Sequence, residues 1–467
     1  MSSVGQANRN PLPTTPTVHL VHLPQWSVEQ PPLGIAYLSG YLKSKGIGNL
    51  QVDFSVQLFA ELPEKQKALM LGANCLNWIR EKDYQSIIRP IIEPWIEKWA
   101  RELAASPCEV IGFTVLTTSK FCTLDVIRRI KQLAPDKFIV AGGPHATRYE
   151  GGPELIGYPD VDVVVPGEGE EVFFEVITAY QEFQPFDSIK GLLIKKYGKV
   201  IDTGERPLIS TISDLPFPEF SGFDLKHYEP LTLPILGSRG CIYKCAFCSE
   251  TVLWRRFRFR TGENIFQEFK KHREELGVRN YYIVDSLING NIKELEKLCD
   301  LIIEHKLDVS WSGKASIRRQ MVRPLLDKMR AAGCHGLDYG LESGSEQIVR
   351  DMNKGFDLPT ARQVLKDTHQ SGIQVGVFLL VGFPTETENH FNESLDFLTE
   401  MSPYIDRMTP GFGMGIQAGS DVELHQEKYG ITWKDGDWYS EFTTPQIREE
   451  RLQRLKHFCS TLDVNVS

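Results

Sequence analysis

Three cysteines lie within eight residues of one another in SRGCIYKCAFCSE, and Cys241, Cys245 and Cys248 are spaced CxxxCxxC. Thiolates select soft metals, so zinc, copper(I) or an iron–sulfur cluster are the chemistries to weigh. Structural zinc takes four ligands, and no further Cys or His stands at finger spacing: Cys299 is 51 residues downstream, and His227 and His272 are each solitary. Three cysteines can instead hold three irons of a [4Fe–4S] cube and leave the fourth iron open. An open iron beside a cavity is a reactive centre. The bland alternative is an accidental or zinc-binding triplet.

The triplet follows a predicted strand and a glycine-containing loop, and Phe247 directly precedes its last cysteine. In this it resembles the radical S-adenosylmethionine (SAM) superfamily. That resemblance implies a [4Fe–4S] cluster whose open iron is chelated by the amino and carboxylate groups of SAM. Electron transfer would then split the sulfonium into methionine and a 5′-deoxyadenosyl radical. It further implies SAM contacts from Phe247, from Asp285 in YYIVDSL for the amine, and from Glu342 in DYGLESGSEQIVRDMNKG for the ribose. Arg318 would serve the methionyl carboxylate, and VGFPTETE (381–388) would pass near the adenine. Asp285 and Glu342 could each merely cap a following helix. Their joint placement after successive predicted strands favours the site.

The elements that must position these residues read as two βα series. PILGSRG (234–240), YYIVDSL (281–287), VSWSGKA (309–315), GLDYGLES (336–343), QVGVFLLVG (374–382) and RMTPGFGMG (407–415) alternate with helical stretches. Six such units predict a partial (β/α)6 barrel over 231–425, with its functional loops at the carboxyl ends of the strands. A short helical, Trp-containing appendix is expected over 426–467. Before the barrel, VHLVHLP (18–24), QVDFSV (51–56), VIGFTVL (110–116), KFIVAGG (137–143) and VDVVVPGEGE (161–170) alternate with helices such as 31–46. They predict a Rossmann-like, doubly wound parallel sheet over 17–180. Trp78, Trp95 and Trp99 mark a helical insertion around 57–108, and residues 1–16 read as a loose tail. GLLIKKYGKVIDTG predicts a hairpin around Tyr197-Gly198, and with DLPFPEF it forms a hairpin-and-linker region over 181–230.

Ligands of doubly wound sheets bind beyond the carboxyl ends of the strands. There the chain has neither a Walker A sequence nor a GxGxxG. PPLGIAYLSGYLKSKG, GGPHAT and DVDVVVPGEGEE resemble instead the cobalamin-binding domain fused to many radical SAM enzymes. The resemblance implies corrin contacts from Pro32, Gly34, Thr117, Gly142, Gly143, His145 and Glu168. The DxHxxG motif that supplies an axial His elsewhere is missing, so cobalt without a His ligand from this domain is expected. His145 is either a contact to the corrin or its tail, or an ordinary loop residue. His19 reads as core.

Composition bounds the rest. Across 467 residues, 41% hydrophobic and 24% charged content describes a globular protein, and a formal charge of -9 disfavours nucleic acid as a partner. RRFRFR (255–260) reads as a half-buried strand with Arg256, Arg258 and Arg260 on an outer, anion-facing side. GFGMGIQAG (411–419) lacks the Lys-Ser/Thr of a phosphate loop. Cys122 and Cys334 are expected to be small buried residues. The amino-terminal residues lack a signal-peptide core, and the longest apolar run, Val375 to Phe383, is too short to span a membrane. Nine cysteines, sparse and odd in number, suit a reducing cytoplasm. Together the two resemblances imply a cobalamin-dependent methyltransferase acting on an unactivated carbon of a small molecule, reduced by a flavodoxin or ferredoxin. A cyclase, rearrangement or oxidative enzyme with the same cofactors is the alternative. An RNA methylthiotransferase would need a second cluster and an RNA-binding barrel, neither of which is evident, and a noncatalytic metal or cobalamin module would cleave no SAM.

Overall fold

The structure is a computed structural model that describes residues 16–411, 413–462 and 464–466. The tail expected over 1–16 lies outside the described residues except for Pro16. Two compact units divide the chain: residues up to 210 together with 214–232, and residues 211–213 together with 233 onward.

The first unit is built on β1 (Val18–His22), β2 (Asn49–Asp53), β3 (Val110–Thr114), β4 (Phe138–Gly142) and β5 (Val163–Val164). They pair in parallel in the order β2-β1-β3-β4-β5, so the chain reverses direction across the sheet between β1 and β3. The strand expected over 51–56 stops at Asp53, whose carboxylate accepts the Ser55 N–H at 2.9 Å and caps the helix Phe54–Glu61. Likewise only Val163–Val164 of the fifth predicted strand pairs, because Pro166 and Gly167 break the run. β6 (Leu193–Lys196) and β7 (Lys199–Asp202) form the predicted hairpin. Within the first unit β6 pairs antiparallel with β5 and extends the sheet to seven strands. The insertion is helical, with the helix Arg89–Ala104 burying Trp99 against Phe54 at a ring separation of 5.2 Å. Removing two such side chains from water contributes about 2–3 kcal/mol each. His19 is buried, and burial followed by Lys137 lowers its pKa to about 4.

The second unit carries β8 (Leu233–Ile235), β9 (Ser238–Arg239), β10 (Arg258–Phe259), β11 (Asn280–Ile283), β12 (Ser310–Ala315), β13 (Cys334–Glu342), β14 (Gln374–Leu379) and β15 (Arg407–Pro410). A hairpin of β16 (Thr432–Lys434) with β17 (Asp437–Tyr439), and β18 (Asn465–Val466), complete it. The main sheet is parallel and runs consecutively from β8 through β11, β12, β13, β14 and β15 to β18; β8 and β18 are its two edges. The expected appendix is therefore not purely helical, since it adds a hairpin and an edge strand. The strand-then-loop expected over 234–240 begins with β8, and the expected loop contains the short strand β9, which leaves the main sheet to pair antiparallel with β10.

The RRFRFR segment has the opposite polarity to the expected one. Arg258 and Arg260 are buried, Phe259 is exposed, and Arg256 is exposed apart from them. Alternation places the two side-chain types on opposite faces but does not say which face is inside. Here Arg260 pairs with the buried Glu268 at 2.5 Å, and the guanidinium groups of Arg239 and Arg258 lie 5.5 and 5.9 Å from the centre of the Trp254 ring. Among the described residues no helix is long and apolar enough to cross a membrane.

Candidate functional site

The cysteine triplet sits on the loop that leaves β9, at the carboxyl end of the first strand pair of the second unit. All three thiols are free and half-buried. Burial pushes each of them up, and the charges of neighbouring triplet thiols add to the rise. The loop also supplies donors to the sulfurs: Tyr243 N–H to Cys241 Sγ and Glu250 N–H to Cys248 Sγ, both at 3.4 Å. Among the described residues, no three His, Cys, Asp or Glu side chains converge on a point where one metal ion could be held. A cubane spreads its thiolate ligands over several irons, so soft sulfur donors on one loop fit a cluster better than a mononuclear ion.

Asp285 lies just past β11, only 4% exposed. Its carboxylate accepts from Gly237 N–H at 2.6 Å and from Ser238 Oγ at 2.7 Å. Both oxygens thus hold the entry to the cysteine loop. Glu342 ends β13 at φ 66°, where the pairing with β14 shifts register. A non-glycine residue there costs on the order of 1 kcal/mol, which the surrounding contacts must offset. Its Oε1 accepts from Lys354 Nζ at 3.1 Å, and the same ammonium stands 5.5 Å from the centre of the Phe247 ring. Glu342 and Phe247, the residue before the last cysteine of the triplet, therefore meet around Lys354. Burial disfavours the Lys354 charge, but Glu342 and Cys245 more than restore it, and its pKa is raised.

Arg318 donates to the carbonyls of Asn289 and Gly290 and lines a cavity of about 650 Å³ together with Tyr243, Lys354 and Asp357. Sequence reasoning missed Lys354. Its signal was a cation before a glycine, twelve residues after Glu342, in the quoted motif. The segment 381–388 contributes Glu386, which is buried and accepts from Gly382 N–H at 2.8 Å.

In the first unit the loops after β1, β3 and β4 are tied into one rim. Thr118 Oγ1 donates to Gln25 O at 2.7 Å, and His145 N–H donates to Val115 O at 2.9 Å. Gly143 turns at φ 96°, and a Cβ there would lie 2.6 Å from Thr114 Oγ1. His145 and Thr117 come together at 3.3 Å, while the other ring nitrogen of His145 faces Glu154 at 3.2 Å. Both nitrogens are thus engaged within the loops. Pro32 and the exposed Gly34 open the helix Leu33–Ser44. Glu168 accepts the Ile209 N–H at 2.8 Å. A rim of main chain and small residues at a sheet reversal fits a large planar ligand.

Comparison with known proteins gives two domain matches. Residues 235–398 match the family model of the radical SAM superfamily, and residues 27–177 match that of the B12 binding domain. An uncharacterized methyltransferase of Pyrococcus horikoshii is 27% identical over 299 residues, 63% of this chain and 64% of that protein. An anaerobic magnesium-protoporphyrin IX monomethyl ester cyclase of Cereibacter sphaeroides is 25% identical over 317 residues, 65% of this chain and 51% of its own length. The chain thus spans less than two thirds of either relative. Among solved structures, the radical SAM methyltransferase TsrM of Kitasatospora setae shares the fold with a TM-score of 0.68 at 17% identity, covering 90% of this chain and 79% of its own.

Proposed function

This chain belongs to the radical SAM enzymes that carry a B12-binding domain, and from that premise we propose that it is a methyltransferase acting on an unactivated carbon of a small metabolite or natural-product intermediate. Its cofactors are a [4Fe–4S] cluster, S-adenosylmethionine and cobalamin. When bound, they supply one-electron cleavage of a sulfonium and a methyl donor for a carbon-centred radical.

The remaining work belongs to the chain. Cys241, Cys245 and Cys248 hold the cluster as thiolates, with the Tyr243 and Glu250 amides donating to sulfur. Phe247, Glu342 and Arg318 bind SAM, the carboxylate as acceptor for hydroxyls and the guanidinium as donor to a carboxylate. Asp285 holds the loop entry in place and offers its carboxylate to the SAM amine. Pro32, Gly34, Thr117, Gly142, Gly143, His145 and Glu168 form the corrin rim. A low-potential carrier of the flavodoxin or ferredoxin class supplies the electron, in the cytoplasm, where free thiols persist.

The observation that carries this reading is a three-thiol loop that leaves β9, shortly after the parallel strand β8, in a chain that also matches a B12 binding domain. The name of the Pyrococcus relative supports methylation. The name of the Cereibacter relative supports the second reading, a cyclase or oxidative enzyme without net methyl transfer. Anaerobically reconstituted protein given SAM with a deuterated methyl group separates the two. Methylation predicts the deuterated methyl on the corrin before any substrate is added. Cleavage of SAM with no label reaching the corrin would favour the second reading.

A further inference from the structure

The turn after the helix Glu346–Asp351 is fastened to the cysteine loop at three points. Ala246 N–H donates to Met352 O at 2.8 Å, and Asn353 Nδ2 donates to Lys244 O at 2.8 Å. Gly355, at φ 73°, packs so closely on Tyr243 that a Cβ would lie 2.6 Å from its Cε1. Lys354 sits between these fastenings, 9% exposed, with Glu342 at 3.1 Å. A buried ammonium is costly unless paired, and truncating one partner of such a pair leaves the other charge uncompensated.

The turn that carries Lys354 is bonded to the cysteine loop at Ala246, between Cys245 and Cys248, and the ammonium stands 5.5 Å from the centre of the Phe247 ring in the same loop. The fastened main chain keeps the cation at a fixed distance from the ligand loop.

We propose that Lys354 is a positioning residue whose fixed charge sets the reduction potential of the cluster held by the triplet, with Glu342 as its opposing trim. The proposal rests on the cluster assignment above. One electron, delivered by an external low-potential carrier, takes [4Fe–4S]²⁺ to [4Fe–4S]⁺. The reduced state carries one more negative charge, so a nearby cation in a poorly solvated pocket stabilises it and raises the potential. A carboxylate on the far side of that cation acts in the opposite direction.

The test is a redox titration of the full-length, cluster-reconstituted protein without SAM, using dithionite with viologen mediators and the electron paramagnetic resonance signal of the reduced cluster. Lys354→Met is expected to disfavour reduction at least tenfold, about 59 mV towards more negative potential for one electron. Lys354→Arg, which keeps the charge, should stay within threefold of wild type. Glu342→Gln should move the potential the opposite way, towards easier reduction. A purely structural role would give Lys354→Met and Glu342→Gln the same sign or no shift, and either result at unchanged iron content overturns the proposal. If Lys354→Met fails to retain iron, Glu342→Gln decides: a positive shift supports the proposal and an unmoved potential refutes it. Wild-type protein that takes up no cluster would refute the underlying assignment and this proposal with it, whereas a normal cluster with unmoved potentials refutes this proposal alone.

Discussion

Burial and hydrogen bonding act in opposite directions on Asp285, and burial wins, lifting its carboxyl to about 6 against the donors Ser238 and Gly237. The unfolded chain releases that proton near pH 4. Between pH 4 and about 6 the folded state therefore binds more protons than the unfolded one, and stability falls as pH rises through this window. Below it the contribution is fully present, and above it the curve is level. Urea unfolding from pH 4 to 7 should show a decline of about 2 kcal/mol attributable to this group. Asp285→Asn should remove that slope while keeping one acceptor for the loop. The position of Asp285 was legible from the sequence as an acid after a strand. Its donors were not, because Gly237 and Ser238 lie nearly fifty residues away and only the sheet brings them together.

At the scale of elements, the loops carry the chemistry and the strand ends fix them. The turn from β4 into its loop shows this most sharply, because Gly143 is at φ 96° with Thr114 Oγ1 and the Val115 main chain crowding its absent Cβ at 2.6 and 2.8 Å. Gly143→Ala should cost about 2 kcal/mol, combining a disfavoured backbone with a clash against the end of β3. If the rim holds the corrin, the variant should also lose cobalamin uptake in equilibrium dialysis; full retention would remove this turn from the proposed rim. The alternation of strands and helices was readable because β-branched runs and helical spacing are local signals. The errors arose where a local pattern has two solutions. Asp53 ends one strand by capping a helix inside an apolar run. The alternation in RRFRFR is equally amphipathic with either face inside, and only the distant Glu268 and the ring of Trp254 select the buried arginines. Lys354 was hidden for a related reason, since a lysine before a glycine most often marks an exposed turn.

At the scale of the whole molecule, each unit has its own sheet and its own set of candidate ligand-holding loops. The assignment divides labour accordingly: the thiols serve iron, and the rim of the other unit serves the corrin. The most direct measurement is 5′-deoxyadenosine formed from SAM by protein reconstituted anaerobically with iron, sulfide and cobalamin and reduced with dithionite, alongside the triple variant Cys241→Ala, Cys245→Ala, Cys248→Ala. Wild type is predicted to bind about four irons per chain and to release 5′-deoxyadenosine, and the variant to lose both while still taking up corrin. Iron-free wild-type protein with zinc in the triplet, or 5′-deoxyadenosine released by the triple variant, would contradict the account.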